Sequence, residues 1–169
     1  MSGSSAVPFA LAPGIELALF SVDPGRAFAR VVFAGAALLA LLYALHRDLP
    51  APETMGILAS AGAALGIVYA GDFITVFIYW ELLALASLAI IWSAPGSGGP
   101  GFRYLLYHIF GGACLLAGCA VAGGVSGSTL LGPVAAGPGY LLIAIGIGVN
   151  AAAPEGRPGG GSMTKSESL

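Results

Sequence analysis

The stretch that decides the fold is Gly71–Ile91, which reads GDFITVFIYWELLALASLAII. Beyond its first turn it contains only apolar and hydroxyl-bearing side chains, apart from Glu81 close to its centre. About 20 apolar residues in a helix cross the hydrocarbon core of a bilayer, which is ~30 Å thick. This stretch therefore predicts a transmembrane helix that carries one carboxylate, expected to be buried near the middle of the membrane.

The rest of the chain has the same apolar character. Of its 169 residues, 57% are hydrophobic and only 8% are charged, so too few polar residues exist to cover a water-soluble domain of this length. Hydropathy predicts helices over residues 27–45, 54–70, 72–93, 102–123 and 140–153, with glycine-rich loops over 94–101 and 124–139. The last helix has about 14 residues, which is short for a span. The predicted fold is an all-α membrane protein with about four full transmembrane helices and a short or broken fifth, part of a larger helix bundle.

The two ends of the chain differ from the middle. Residues 1–25 include an apolar stretch that is interrupted by Pro13, Gly14 and Glu16, and it lacks the basic region that begins a secretory signal. We expect it to be interfacial or irregular. Residues 154–169 are polar, glycine-rich and aperiodic, which is typical of a disordered tail.

Several function classes are excluded by composition and motif. The net charge of −2 and the lack of a basic stripe exclude a nucleic-acid partner. Cys114 and Cys119 lie five apart and match no metal or redox spacing, so no cofactor and no metal are predicted. No phosphate-binding loop, dinucleotide fingerprint or nucleophile elbow occurs, so the chain has no predicted catalytic site of its own. The partners that composition indicates are the lipid bilayer and other membrane subunits.

Glu81 is the residue that most strongly indicates function. A carboxylate at the centre of a membrane helix costs about 2.5–3.5 kcal/mol on insertion scales, so it needs a cation, a proton or a water-filled cavity. Such residues generally lie on proton or ion pathways. The alternative is a glutamate that is permanently protonated or that only pairs two helices. Asp72, by contrast, begins the same helix, where capping of free backbone N–H groups explains it.

The fourth predicted helix carries two further ionisable residues. Arg103 and His108 are five residues apart, so their side chains project roughly 140° apart at ~100° per residue. Arg103 either extends to the membrane interface or turns inward to pair with Glu81. His108 is either a proton-relay residue, because its charge changes near neutral pH, or a neutral residue bonded to a neighbouring helix.

Three segments together resemble a known family. They are GDFITVFIYWELLALAS (71–87), FRYLLYHIFGGACLLAG (102–118) and LLIAIGIGVNAAAP (141–154), preceded by YALHRD at the end of the first helix. In this order they resemble the antiporter-like membrane subunits, which include the D-type subunit of the Mrp sodium/proton antiporters and the proton-pumping subunits of respiratory complex I, the NADH:quinone oxidoreductase. The resemblance covers about residues 23–154 and corresponds to about the third to seventh of fourteen helices. The VNAAAP variant favours the Mrp branch of the family.

The resemblance implies roles for single residues. Glu81 matches the family's key glutamate, which pairs with a basic residue near a buried proton site. Arg103 stands where many members have a lysine. Asn150 matches the family's central proton-carrying lysine; because asparagine cannot become protonated, a lysine-based relay is in doubt, and His108 is a candidate substitute. The implied function is translocation of protons or sodium ions across a membrane, most simply the bacterial cytoplasmic membrane.

The sequence departs from the family pattern at both ends. After Pro154 the family's next segment is replaced by Glu155, Gly156 and Arg157, and its first two helices have no counterpart before residue 27. We therefore expect a fragment of a subunit. Two alternatives stay open, namely a non-transporting structural or accessory membrane subunit, and a small multidrug-type exporter that uses Glu81.

Overall fold

The computed structural model describes residues 5–12, 15–22 and 24–151 of the chain. The predicted class, a helical membrane protein with four long helices and a shorter fifth, is confirmed for this part. The helices are α1 (Ala27–His46), α2 (Ala51–Tyr69), α3 (Phe73–Ser93), α4 (Gly98–Ser126) and α5 (Pro138–Ala151). A short 3-10 helix, Pro24–Arg26, leads into α1. The first four α-helices are long and apolar enough to cross a membrane, and α5 is shorter.

The observed helices extend beyond some predicted bounds for local reasons. The sequence predicts a loop over 94–101, but α4 begins at Gly98. Its first turn accommodates Pro100, because the first N–H groups of a helix have no partner within it. Helix α2 likewise begins three residues earlier than predicted, with Pro52 in its first turn. At the other end of α4, Gly127 adopts a left-handed conformation (φ 68°) that ends the helix.

The amino-terminal segment corrects one expectation. The sequence predicts an interfacial segment, extended or irregular, rather than a span. The described part is extended and regular, since it forms an antiparallel pair of strands, β1 (Ser5–Ala12) and β2 (Ile15–Val22). The turn-forming dipeptide Pro13–Gly14 lies between them in sequence. The prolines and glycine that break a helical pattern are compatible with a hairpin, which hydropathy alone does not indicate. The predicted disordered tail, 154–169, lies outside the described residues.

The helices are arranged in the order of the sequence. Each packs against the helices that precede and follow it, so that α3 lies between α2 and α4, and α4 lies between α3 and α5. A small apolar cluster of buried residues, Phe73, Leu115 and Cys119, joins the start of α3 to the second half of α4, with Trp80 and Ile143 packed beside it. Helix α4 is therefore the central helix of the second half of the chain.

Extended segments form backbone hydrogen bonds with the helix ends at one end of the bundle. Gly71 in the α2–α3 turn donates its N–H to the Ala18 carbonyl of β2 (2.7 Å) and accepts a hydrogen bond from Leu131 N–H (2.9 Å). Next to it, Phe73 N–H donates to the Thr129 carbonyl (2.9 Å). The hairpin, the α2–α3 turn and the start of the α4–α5 connection thus form one hydrogen-bonded assembly, called here the rim.

Asp72 is the buried centre of the rim. It has no exposed surface, and its carboxylate accepts hydrogen bonds from Thr75 N–H (2.8 Å), the Thr75 hydroxyl (2.6 Å) and Ala18 N–H (2.7 Å). The predicted capping role is confirmed, and the bond to Ala18 adds a link to the hairpin. Arg26 extends the same junction by donating to the Ala70 carbonyl (2.8 Å).

Helices α4 and α5 approach each other at two pairs of glycines. A methyl group on Gly146 would lie 2.6 Å from the Gly111 carbonyl oxygen, and one on Gly139 would lie 3.2 Å from the Gly118 carbonyl oxygen. The two glycines of each helix are seven residues apart, Gly111 and Gly118 on α4 and Gly139 and Gly146 on α5. The two antiparallel backbones therefore come close at two points with the same spacing along each helix. Small residues permit this approach in membrane helices, where close van der Waals packing drives association.

Candidate functional site: a carboxylate–imidazole pair between membrane helices

Glu81 of α3 and His108 of α4 form the central polar contact between these helices. His108 Nε2 lies 3.2 Å from Glu81 Oε1, within hydrogen-bond and ion-pair distance. Glu81 lies eight residues into α3, about 12 Å from its start, so the pair is well inside the apolar span. Both residues are candidates from the sequence alone, but their pairing is visible only in the structure. The structure brings them together because α3 and α4 are adjacent and antiparallel.

The two side chains differ in exposure. His108 is buried, with 7% of its side chain accessible, whereas 39% of the Glu81 side chain is accessible. Within the described chain Glu81 is only partly buried, because α3 contacts α2 and α4 and leaves one side open. Tyr104, one turn before His108, stacks on the imidazole ring with centroids 6.2 Å apart. The imidazole is thus enclosed, whereas the Glu81 side chain remains partly accessible beside it.

Arg103 is not part of this pair. It is exposed, and within the described residues it forms no hydrogen bond or ion pair with Glu81. The reason is the helical angle anticipated from the sequence: His108 points towards α3, so a residue five positions earlier projects to a different side. Of the two possibilities left open for Arg103, the inward ion pair is not observed in the described chain.

Asn150 lies on the other side of α4. Its carboxamide nitrogen donates to the Gly146 carbonyl one turn earlier (3.1 Å). The same nitrogen lies beside Gly111 of α4, where it would meet an added methyl group. It therefore faces α4 from α5, as Glu81 faces α4 from α3. The structure does not bring Asn150 into the hydrogen bond between Glu81 and His108. A carboxamide in this position can donate or accept hydrogen bonds but cannot carry a proton as a charged group.

Sequence reasoning missed the two consecutive glycines of α4. A methyl group on Gly112 would lie 2.6 Å from Glu81 Oε1, and one on Gly111 would meet the Asn150 carboxamide. The signal was present in the sequence, since Gly112 stands four residues after His108 and hence on the same helix face. Within the described residues no group of three or more histidine, cysteine, aspartate or glutamate side chains is placed to hold a metal ion.

Comparison with known proteins adds a structural relative. No protein-family model and no curated protein matches the chain. The fold is similar to that of a chain in the Mrp complex from Dietzia sp. DQ12-45-1b, with a TM-score of 0.69 and 26% sequence identity. The similarity covers 88% of this chain and 18% of that chain.

This similarity supports the class that the sequence indicated. The chain is an integral membrane protein, and its similarity to a chain of the Mrp complex favours the antiporter-like family without identifying which of its members. The chain spans about a fifth of the length of the structure that it matches.

Proposed function

We propose that this chain acts in proton or sodium/proton translocation as part of an antiporter-like membrane subunit, with Glu81 in the ion pathway. The observation that carries the proposal is the contact between a carboxylate and an imidazole, 3.2 Å apart, inside two apolar spans. Carboxyl and imidazole groups can each take up and release a proton, which is the chemistry that an intramembrane proton pathway needs. The similarity to the Mrp complex supports the same class of function.

The proposed mechanism is an exchange of one proton between the pair and water. When His108 is protonated and Glu81 is ionised, the two form an ion pair. Arrival of a proton or a sodium ion at the accessible side of the Glu81 carboxylate weakens this attraction and favours release of the imidazole proton. Each state keeps the buried imidazole hydrogen-bonded, which avoids the cost of an unsatisfied buried polar group. Partner subunits would supply the remainder of the pathway.

The test is proton transport in everted membrane vesicles from cells that express the chain with its partner subunits. Glu81→Gln keeps the shape of the side chain and removes its charge, and we expect it to lower cation-dependent collapse of the proton gradient by about tenfold or more. Glu53→Gln in the first turn of α2 is the matched control, because this glutamate lies at a helix end. It should leave transport unchanged.

The opposite results are equally informative. If Glu81→Gln transports like the control, or if wild-type vesicles show no cation-dependent signal, the proposal is refuted. A silent Glu81→Gln in an assembled complex would favour the accessory-subunit alternative. Resistance to cationic drugs on overexpression, abolished by Glu81→Gln, would instead favour the exporter.

A further inference from the structure

Gly112 lies opposite the carboxylate of Glu81. A methyl group at this position would lie 2.6 Å from Glu81 Oε1, well below an ordinary van der Waals separation. The next atoms are much farther away, with Glu81 Cδ at 3.7 Å and His108 Nε2 at 4.0 Å. The volume that the missing side chain leaves is therefore occupied by one atom, which is the same oxygen that contacts His108.

Helix packing does not account for this glycine. At Gly111, Gly118 and Gly146, an added methyl group would meet backbone atoms of the neighbouring helix at 2.6–2.9 Å, so close approach of α4 and α5 is sufficient to explain them. At Gly112 the atoms within 4 Å belong only to the side chains of Glu81 and His108. The α3–α4 backbones would tolerate an alanine here, and only the carboxylate would have to move.

We infer that Gly112 is a positioning residue, which keeps the Glu81 carboxylate beside His108 by leaving open the volume that its oxygen occupies. Since Gly112 follows His108 by one helical turn, one face of α4 supplies both the imidazole and the space for its partner. A side chain at position 112 would displace Oε1 towards the accessible side of Glu81 and away from Nε2. The contact between the two groups would then be lost without loss of either group.

This inference rests on the proposed function only for its effect on transport. The positioning itself can be measured on the purified full chain, because the sequence contains only two histidines, His46 and His108. In nitrogen-15 NMR spectra of histidine-labelled protein, the His108 side-chain signals report the hydrogen bond at Nε2, and the exposed His46 is an internal reference. We expect Gly112→Ala to shift the His108 signals towards those of Glu81→Ala, and to leave the His46 signals unchanged.

A double-mutant cycle separates positioning from a general packing defect. Gly112→Ala should destabilise the wild-type chain, and should be neutral or stabilising in the Glu81→Ala background, where no carboxylate has to move. Gly124→Ala is the matched control on the same helix, because a methyl group there meets nothing within 4 Å. Its effect should be the same in both backgrounds, and it should not shift the His108 signals.

The results distinguish this inference from the proposed function. Unshifted His108 signals in Gly112→Ala, or an equal effect of Gly112→Ala in both backgrounds, would overturn the positioning role. If the NMR shift and the coupling are found while Glu81→Gln leaves transport unchanged, the positioning role stands and the proposed transport function fails. If both hold, Gly112→Ala should also reduce transport by about tenfold or shift its pH profile, as expected for a displaced carboxylate.

Discussion

Gly146→Ala tests the close approach of the α4 and α5 backbones. The added methyl group would lie 2.6 Å from the Gly111 carbonyl oxygen, 2.7 Å from Leu115 N and 3.0 Å from Leu115 Cβ. Ordinary contacts between carbon and a carbonyl oxygen are about 3.3 Å or longer. The two helices must therefore separate locally by roughly 0.7 Å to accept a single methyl group, since the atoms that it meets are mostly backbone.

The size of the effect follows from this displacement. A gap of 0.5–1 Å forfeits roughly a quarter to a half of the van der Waals attraction between the surfaces that separate. Overpacking of this kind typically destabilises a protein by about 1–3 kcal/mol. Replacing glycine by alanine within a helix also contributes about 0.8–1.0 kcal/mol of helix propensity, which acts in the opposite direction. A control that gains the propensity without the clash is therefore needed.

Gly148→Ala is that control, two residues further along α5, because a methyl group there meets nothing within 4 Å. Reversible unfolding of the purified full chain in mixed micelles, followed by circular dichroism, gives the free energy of unfolding for both variants. The propensity gain cancels in the comparison, so Gly146→Ala should be about 1–3 kcal/mol less stable than Gly148→Ala. Equal stabilities would refute the close α4–α5 contact at Gly146.

Two further substitutions test other contacts. Asp72→Ala removes three hydrogen bonds of the rim and should lower the free energy of unfolding by about 1–3 kcal/mol. It should also increase proteolysis of the amino-terminal hairpin. The control Asp48→Ala, in the exposed segment between α1 and α2, should change neither. Gly66→Ala would meet the ring of Tyr79 and should lower thermal stability relative to Gly62→Ala, which meets nothing within 4 Å; equal melting temperatures would contradict the α2–α3 packing.

The sequence predicted the helical part of the fold well because the signal is a simple one. Apolar runs of about 20 residues have few alternatives to a membrane helix, since lipid leaves every backbone group to be satisfied within the segment. The capping role of Asp72 was predictable for a similar reason, because it depends on residues within one turn. The pairing of the two eight-residue strands was not predicted because hydropathy alone does not distinguish them from other apolar segments, and their bond to the α2–α3 turn joins residues about 50 apart in sequence.

The candidate site was predicted only in part. Glu81 stood out because a carboxylate in an apolar run is costly, and this depends on composition alone. Its partner His108 did not stand out, because Arg103 and His108 lie on the same helix. Only the rotation of α4 about its axis decides which of these two side chains faces α3. The role of Gly112 depends on the same rotation and on the rotamer of Glu81. In a chain with 27 glycines, none is conspicuous before the helices are placed.

The rim has a mechanical consequence for the pair between α3 and α4. Among the described residues, the backbone bonds that join helix ends across the bundle lie at the rim, while the turns at the opposite end, residues 47–50 and 94–97, bond only within themselves or to the adjacent helix. The rim therefore restrains this end of α3, and Glu81 lies about 12 Å from it along the helix. A tilt of α3 of about 2° moves Glu81 by roughly 0.4 Å, enough to lengthen a 3.2 Å contact beyond hydrogen-bond distance. A small displacement of α3 at the end near residues 94–97 is thus sufficient to open or close the Glu81–His108 contact.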